Sequence, residues 1–320
     1  MRIFCAMHDY DWEFNNLVAG LQQCGHETVV YGWPEFKRPK RWRWLMNRRL
    51  IARVVAAHRR QPLDLFFGYL SGKTVSVPCI ETIRAHTGLP MLNFTCNDAT
   101  AFEKTSRAIA SHFDYYWASD ANHLTLPEYA KMGVAVITLP LAVNHVLYRK
   151  LPDCPKQYDV TWIGSRVYNR TEYIEYLTAN GINVFQGFKD GKKRPVSTEE
   201  MVRIYNASRI VLSFTNAGPV QQIRLRNFEA PMCGSFTLSE QAPGLEKLFV
   251  PDAEMVTFSD KHDLLAKVRH YLAREQERER IAATGYARAL RSHTWFVRFP
   301  QLFDELARRG FSGVNNAPRR

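Results

Sequence analysis

The chain has no run of about 18 consecutive apolar residues, the length a helix needs to cross the apolar core of a bilayer. Its start, Met1-Arg2-Ile3-Phe4-Cys5, has no basic segment followed by a long apolar stretch, so no secretory signal is read and a cytoplasmic location is expected. Cysteine is sparse: the six residues are scattered, with no Cys-x-x-Cys pair and no Cys/His cluster. That spacing excludes a structural zinc site and reads as reduced thiols. No Gly-x-Gly-x-x-Gly follows an apolar run, which removes a dinucleotide site. Gly72-Lys73-Thr74 ends like a phosphate-binding P-loop, but Phe67 stands where the first glycine belongs. Neither Gly-x-Ser-x-Gly nor His-Glu-x-x-His occurs, so the common serine-hydrolase and zinc-protease arrangements are missing.

Acidic residues are missing from one long stretch. Between Phe36 and Leu63 there are ten Lys/Arg and no Asp or Glu, which accounts for ten of the net +12 charges. A charge run is most often a solvated helix face. Here Trp42 and Trp44 interleave with Arg41, Arg43, Arg48 and Arg49, and aromatics among cations suit an anionic partner, either a membrane surface or a nucleic acid.

What is present in quantity is alternation. Short apolar, β-rich runs separated by amphipathic stretches predict parallel sheets with helices on both faces, and the pattern occurs twice. The expected strands of the first half are 2–7, 27–33, 63–70, 90–96, 115–119 and 135–141, and those of the second are 158–163, 182–188, 209–214, 235–239 and 255–258. Pro140, Pro152 and Pro155 punctuate the join. The expected division is a Rossmann-like domain over 1–142, a linker over 143–157 and a second such domain over 158–292. A final helix over 293–310, with an apolar stripe from Trp295 to Leu306 at helical spacing, and a tail over 311–320 complete it.

Asp9-Tyr10-Asp11 spells Asp-x-Asp, a pattern that can hold a divalent cation against a diphosphate. Following the first strand, it reads instead as a strand-to-helix loop, and no metal site is expected. Loops at the carboxyl ends of parallel strands are nonetheless where open α/β sheets bind ligands, which singles out His8 and Asp9.

The specific signal lies at Arg224-Leu225-Arg226-Asn227-Phe228-Glu229-Ala230-Pro231-Met232-Cys233-Gly234. It continues through Ala242-Pro243-Gly244-Leu245-Glu246, Ile281-Ala282-Ala283-Thr284-Gly285-Tyr286, and His293-Thr294-Trp295 with Arg298. This ordered set resembles CgeB-like glycosyltransferases, a branch of the GT-B group related to the larger group 1 family, over roughly residues 158–300. The first half resembles them more weakly, at Asn93-Phe94-Thr95-Cys96-Asn97-Asp98.

The resemblance implies a GT-B architecture, two Rossmann-like domains facing across a cleft with the last helix crossing back to the first. It implies a nucleotide-diphosphate sugar as donor, bound by the second domain, with no cofactor and no required metal. Glu229 would accept hydrogen bonds from the donor ribose, a role suited to an ionised carboxylate. Its plainer reading is a carboxylate stabilised near a helix N-terminus. The relatives' first glutamate, eight positions earlier, is Gln221 here.

Gly164, Ser165 and Arg166 at a strand-to-helix junction, with Arg224 and Arg226, are candidates for the diphosphate, and Asn216 for the base or sugar pocket. The bland alternative for the arginines is ion pairing with nearby carboxylates. An inverting reaction would require a base from the first domain, and Asp98, Asp9 and His8 are the candidates. Three functions follow. The leading one is sugar transfer to an anionic or membrane-associated acceptor, a glycolipid or surface polymer, by an enzyme peripheral to the inner membrane face. The others are transfer to a modified base in DNA, and non-catalytic binding of a nucleotide-sugar or nucleic acid.

Overall fold

The computed structural model describes residues 1–8, 11–33, 42–187 and 196–313. The chain divides into two units, one made of Met1–Pro140 with Trp295–Arg320 and the other of Leu141–Thr294. The first unit begins with β1 (Arg2–His8), α1 (Asp11–Glu13), a π-helical turn (Phe14–Val18), α2 (Ala19–Gln23), β2 (Glu27–Trp33) and α3 (Arg43–Arg60). It continues with β3 (Leu65–Gly68), α4 (Val77–Thr87), β4 (Met91–Thr95), α5 (Asp98–Thr105), β5 (Tyr115–Ala118) and α6 (Leu126–Lys131). The strands form one parallel sheet in the order β2-β1-β3-β4-β5, with Ile3 aligned between Thr28 and Leu65. Every residue of β3 and β4 is buried, which is why these strands read as continuous apolar runs rather than as alternation.

The strand expected at 135–141 does not form. Ile137 makes an isolated bridge with Trp117, and the Trp117 indole then takes the Leu139 carbonyl at 2.7 Å. That side-chain bond diverts the backbone from the ladder, and Pro140, next in line, has no N–H to donate.

The second unit contains β6 (Tyr158–Ile163), α7 (Arg170–Ala179), β7 (Val184–Gly187), α8 (Thr198–Asn206), β8 (Ser208–Ser213) and α9 (Arg226–Met232). It closes with β9 (Phe236–Glu240), α10 (Leu245–Leu248), β10 (Val256–Phe258), α11 (Lys261–Ala273) and α12 (Glu275–Ser292). Its sheet is also parallel, in the order β10-β9-β8-β6-β7. Polar residues start its helices where the sequence supplies them: the Ser197 hydroxyl accepts from Glu200 N, and the Asp260 carboxylate accepts from His262 N and Asp263 N. The segment 143–157 belongs to this unit. Val143 bridges to Thr294, and Tyr148 is buried with its hydroxyl on Glu229.

Gly285, in the middle of α12, is required by packing. A Cβ there would fall inside contact distance of the Glu254 carbonyl oxygen, so the helix lies against backbone with no side chain between. The last helix, α13 (Trp295–Arg308), belongs to the first unit. It buries Trp295, Phe299, Leu302, Phe303 and Leu306, the stripe read from the sequence. A Cβ at Gly20 would sit 2.6 Å from Trp295 Cβ, so this glycine lets α13 approach α2. The Trp295 indole donates to Asn16 Oδ1 at 3.1 Å.

Candidate active site

In the second sheet the chain leaves β6 for β7 on one side and then returns to β8 on the other, so the strand order reverses between β6 and β8. Ligands of open α/β sheets bind at the carboxyl ends of the strands at such a point. The loops that meet there are 164–169 after β6 and 214–225 after β8.

Glu240, the last residue of β9, holds both loops. One carboxylate oxygen accepts from Thr215 N at 2.9 Å and Asn216 N at 2.8 Å, and the other accepts from Asn169 Nδ2 at 2.7 Å. The side chain is buried, so these bonds to its charge are strong and leave little freedom to either loop. Asn227 fixes the next turn. Its Oδ1 accepts from Arg224 N at 2.9 Å, while its Nδ2 donates to Ser239 Oγ at 2.7 Å.

Three guanidinium groups are brought together here. Arg170, the first residue of α7, is buried and donates to the carbonyls of Ser165 and Asn216, both at 3.3 Å. Its pKa is lowered to about 10, first by burial and then by the neighbouring charges of Arg224 and Arg226. Among the described residues, neither Arg170 nor Arg226 has a carboxylate at ion-pair distance. Arginines clustered in this way concentrate positive charge, which suits an anion. Beside them, a cleft of about 530 Å³ is lined by Gln221, Glu240, Gln241, Glu246, Met255 and Ser259, among others.

Residues 145–304, half of the chain, match the sequence model of the glycosyl transferase-like family. The chain belongs to that family. Solved structures share its GT-B fold at low identity. The sucrose-phosphate synthase of Thermosynechococcus elongatus is 11% identical with a TM-score of 0.66, over 96% of this chain and 100% of that one. HepE of Anabaena, solved with UDP and glucose, is 12% identical with a TM-score of 0.64 over the same shares. AviGT4, a glycosyltransferase of avilamycin A biosynthesis, is 14% identical with a TM-score of 0.62 over 98% of each chain. Among curated proteins none matches the chain.

The residues expected at the site of this glycosyltransferase stand in different surroundings. Glu229 is 1% exposed, and its Oε1 accepts from the Tyr148 hydroxyl at 2.9 Å. Gln221, at the position of the relatives' first glutamate, is exposed on the rim of the cleft and bridges to Asn216. Arg166 is exposed and donates to Gln186 at 3.0 Å. Gly164 N donates to the Gly187 carbonyl at 3.0 Å, tying β6 to β7. Asn216 joins through its backbone, and its Oδ1 accepts from Gly218 N at 3.0 Å.

In the first unit Asp98 starts α5 but points into the interior of the glycosyltransferase. It is 2% exposed and accepts from Ser106 Oγ at 2.5 Å, from Thr95 and Thr105 at 3.4 Å, and from the Tyr129 hydroxyl. Three of these hydroxyls share one carboxylate oxygen and Tyr129 takes the other, so the carboxylate expected as a base is tied into the core of its unit. Its neighbour Asp120, missed in the sequence, accepts from Ala99 N at 3.0 Å. Its pKa is pushed up to about 7 by burial and then by the charge of Asp98. Asp9 lies outside the described residues, and His8 is placed only as the last residue of β1.

Of the basic segment, Arg41 lies outside the described residues, and Arg43 turns inward to donate to the Val75 carbonyl at 2.8 Å. Trp42 and Trp44 are 39% and 59% exposed, and the Arg48 guanidinium lies 5.8 Å from the centre of the Trp44 ring. Arg49 is exposed on the same helix. No helix among the described residues is long and apolar enough to cross a membrane.

Proposed function

We propose that this chain transfers a sugar from a nucleotide-diphosphate donor, a UDP-sugar in the first instance, to an acceptor held at an anionic membrane surface, and that it is of the CgeB-like branch. The observation that carries the reading is the convergence of Arg170, Arg224 and Arg226 at the carboxyl edge of the second sheet. A diphosphate is the anion such a cluster suits, and HepE, of like fold, was solved with UDP and glucose. The sugar would extend over the cleft bordered by Gln221 and Glu240.

In the transfer step, the bond between the sugar and the diphosphate breaks and negative charge grows on the departing phosphate. Fixed guanidinium groups stabilise that charge more in the transition state than in the bound donor, which is how they lower the barrier. They supply positive charge at the place where a divalent ion would otherwise sit, so we expect turnover without an added metal. With the Tyr148 hydroxyl on its Oε1, Glu229 would take a ribose hydroxyl on its other oxygen. The acceptor surface is read from α3, whose outward arginines and tryptophans suit phosphates at an interface.

Melting curves with UDP-, GDP-, ADP- and dTDP-sugars test the donor assignment. UDP-sugars should raise the melting temperature, and Arg226→Gln should abolish most of the rise. No rise with any donor, or an equal rise in the variant, would count against the site.

A further inference from the structure

Strand β2 is an edge of the first sheet, and α3 packs beside it without filling the space between them. Two overlapping hollows of about 430 and 550 Å³ run along this seam, sharing Tyr31, Gly32, Arg53 and Ala56. The cause is in the sequence. The side of α3 turned towards β2 carries Ala52, Ala56 and Ala57, and the strand opposite carries Gly32, so small residues meet where large ones would close the gap. The floor is apolar and open, with Val30 39% exposed.

The rim is basic. Arg49 borders the upper hollow, Arg53 both, and Arg60 the lower one. Over about one and a half ångströms of rise per residue, Arg49 to Arg60 spans roughly 17 Å of helix. Among the described residues, none of these three arginines is ion-paired or hydrogen-bonded. Elsewhere exposed arginines of the chain do find carboxylates, as Arg107, Arg203 and Arg308 do. A row of unpartnered cations over an apolar trough fits an amphiphile with an anionic head. A nucleic acid would meet the arginines but leave the apolar floor uncovered. Trp42 and Trp44, exposed at the start of the same helix, are the residue type that settles at a membrane–water boundary.

We propose that the β2–α3 trough is a docking site for an anionic phospholipid of a bilayer surface, its phosphate on Arg49, Arg53 and Arg60 and the start of its acyl chain over Val30, Ala52 and Ala56. This rests on the membrane-associated reading of the acceptor and gives it a definite place in the fold. Each basic residue near an anionic bilayer strengthens attachment by about fivefold, and the effect falls with salt.

Flotation with vesicles of phosphatidylglycerol and phosphatidylcholine, against phosphatidylcholine alone, tests it on the full chain. We expect binding only to the anionic vesicles and its loss at high salt. Arg49→Gln/Arg53→Gln should weaken that binding on the order of twentyfold. The charge-matched Arg280→Gln/Arg291→Gln, on the other unit, should weaken it little. Ala56→Gln, which keeps the charge and places a polar group on the floor, should weaken it severalfold.

Equal binding by the Arg49/Arg53 variant and its charge-matched control overturns the site, as does unchanged binding by Ala56→Gln. Retention of the wild type on duplex DNA but not on vesicles also overturns it. UDP-sugar melting shifts measured on the same samples keep the two proposals apart. Shifts that persist while vesicle binding fails sink the docking site alone, and absent shifts sink the donor assignment.

Discussion

Four carboxylates in this chain have different fates, and the difference is set by what each one touches. Glu240 accepts two backbone N–H groups and an asparagine amide, so it organises the loops around the arginine cluster. Glu240→Gln keeps the shape, but its amide can accept at only one atom. We expect UDP-sugar affinity to fall about tenfold in that variant with the melting temperature of the free protein lowered only modestly, as titration calorimetry and melting curves would show. Glu229 and Tyr148 hold each other. Tyr148→Phe strands a buried carboxylate and should lower the stability of the second unit by about 1–3 kcal/mol in denaturant titrations. Because the hydroxyl that orients the carboxylate is gone, the same variant should show a smaller UDP-induced melting shift. An unchanged shift would argue against a ribose contact at Glu229.

Asp120 is the neighbour of Asp98, a carboxylate already ringed by hydroxyls, and its pKa is pushed up to about 7 against 3.8 for the ordinary side chain. A raised carboxylate pKa means that the folded state binds the proton more tightly than the unfolded state. The stability this confers is complete below about pH 4 and is lost as the pH rises to about 7. Asp120→Asn, which cannot ionise, should therefore melt higher than the wild type at pH 8 and no higher at pH 4. Equal differences at both pH values would mean that Asp120 is not held in its protonated form.

At the level of elements, the alternation of apolar runs marks all ten strands with small end shifts, because a buried parallel strand leaves an uninterrupted apolar signature. The largest shifts are at β3, expected over 63–70 and found at Leu65–Gly68, and at β7, expected over 182–188 and described as Val184–Gly187. The run at 135–141 carries the same signature without the ladder. What decides its fate is the Trp117 indole taking the Leu139 carbonyl, a long-range bond that composition does not announce. Glycines divide the same way. Gly285 lies within the Ile281–Tyr286 stretch that carries the resemblance, and its contact with the Glu254 carbonyl shows why only glycine fits. Gly285→Ala should destabilise the second unit by about 1–3 kcal/mol, because backbone cannot rotate away as a side chain can. An unchanged unfolding midpoint would show that α12 can slide without cost.

At the scale of the whole molecule, a chain of net charge +12 has two basic regions of different kinds. One is the row along α3, dense along the chain and therefore legible from the order of residues alone. The other is Arg170, Arg224 and Arg226, separated by more than fifty residues and assembled by the crossing of β6 and β8. The motif in the sequence points to Arg224 and Arg226, and the loop after β6 offers Arg166 as readily as Arg170, of which Arg166 is exposed and Arg170 buried. Only the start of α7 settles which of the two turns inward. For Glu229 the motif likewise fixes position along the chain but not the partner, the Tyr148 hydroxyl, that holds the side chain. Glu240 leaves one readable trace, an acidic residue closing an apolar strand at its carboxyl end.

The central claim is that the arginine cluster binds the donor's diphosphate. Titration calorimetry of UDP into the wild type and into Arg226→Gln tests it most directly, with circular dichroism to show that the variant is folded. A charged hydrogen bond to phosphate contributes about 1.5–3 kcal/mol, so the account predicts affinity lower by about ten- to a hundredfold in the variant. Affinity for UDP within a factor of two of the wild type would contradict it.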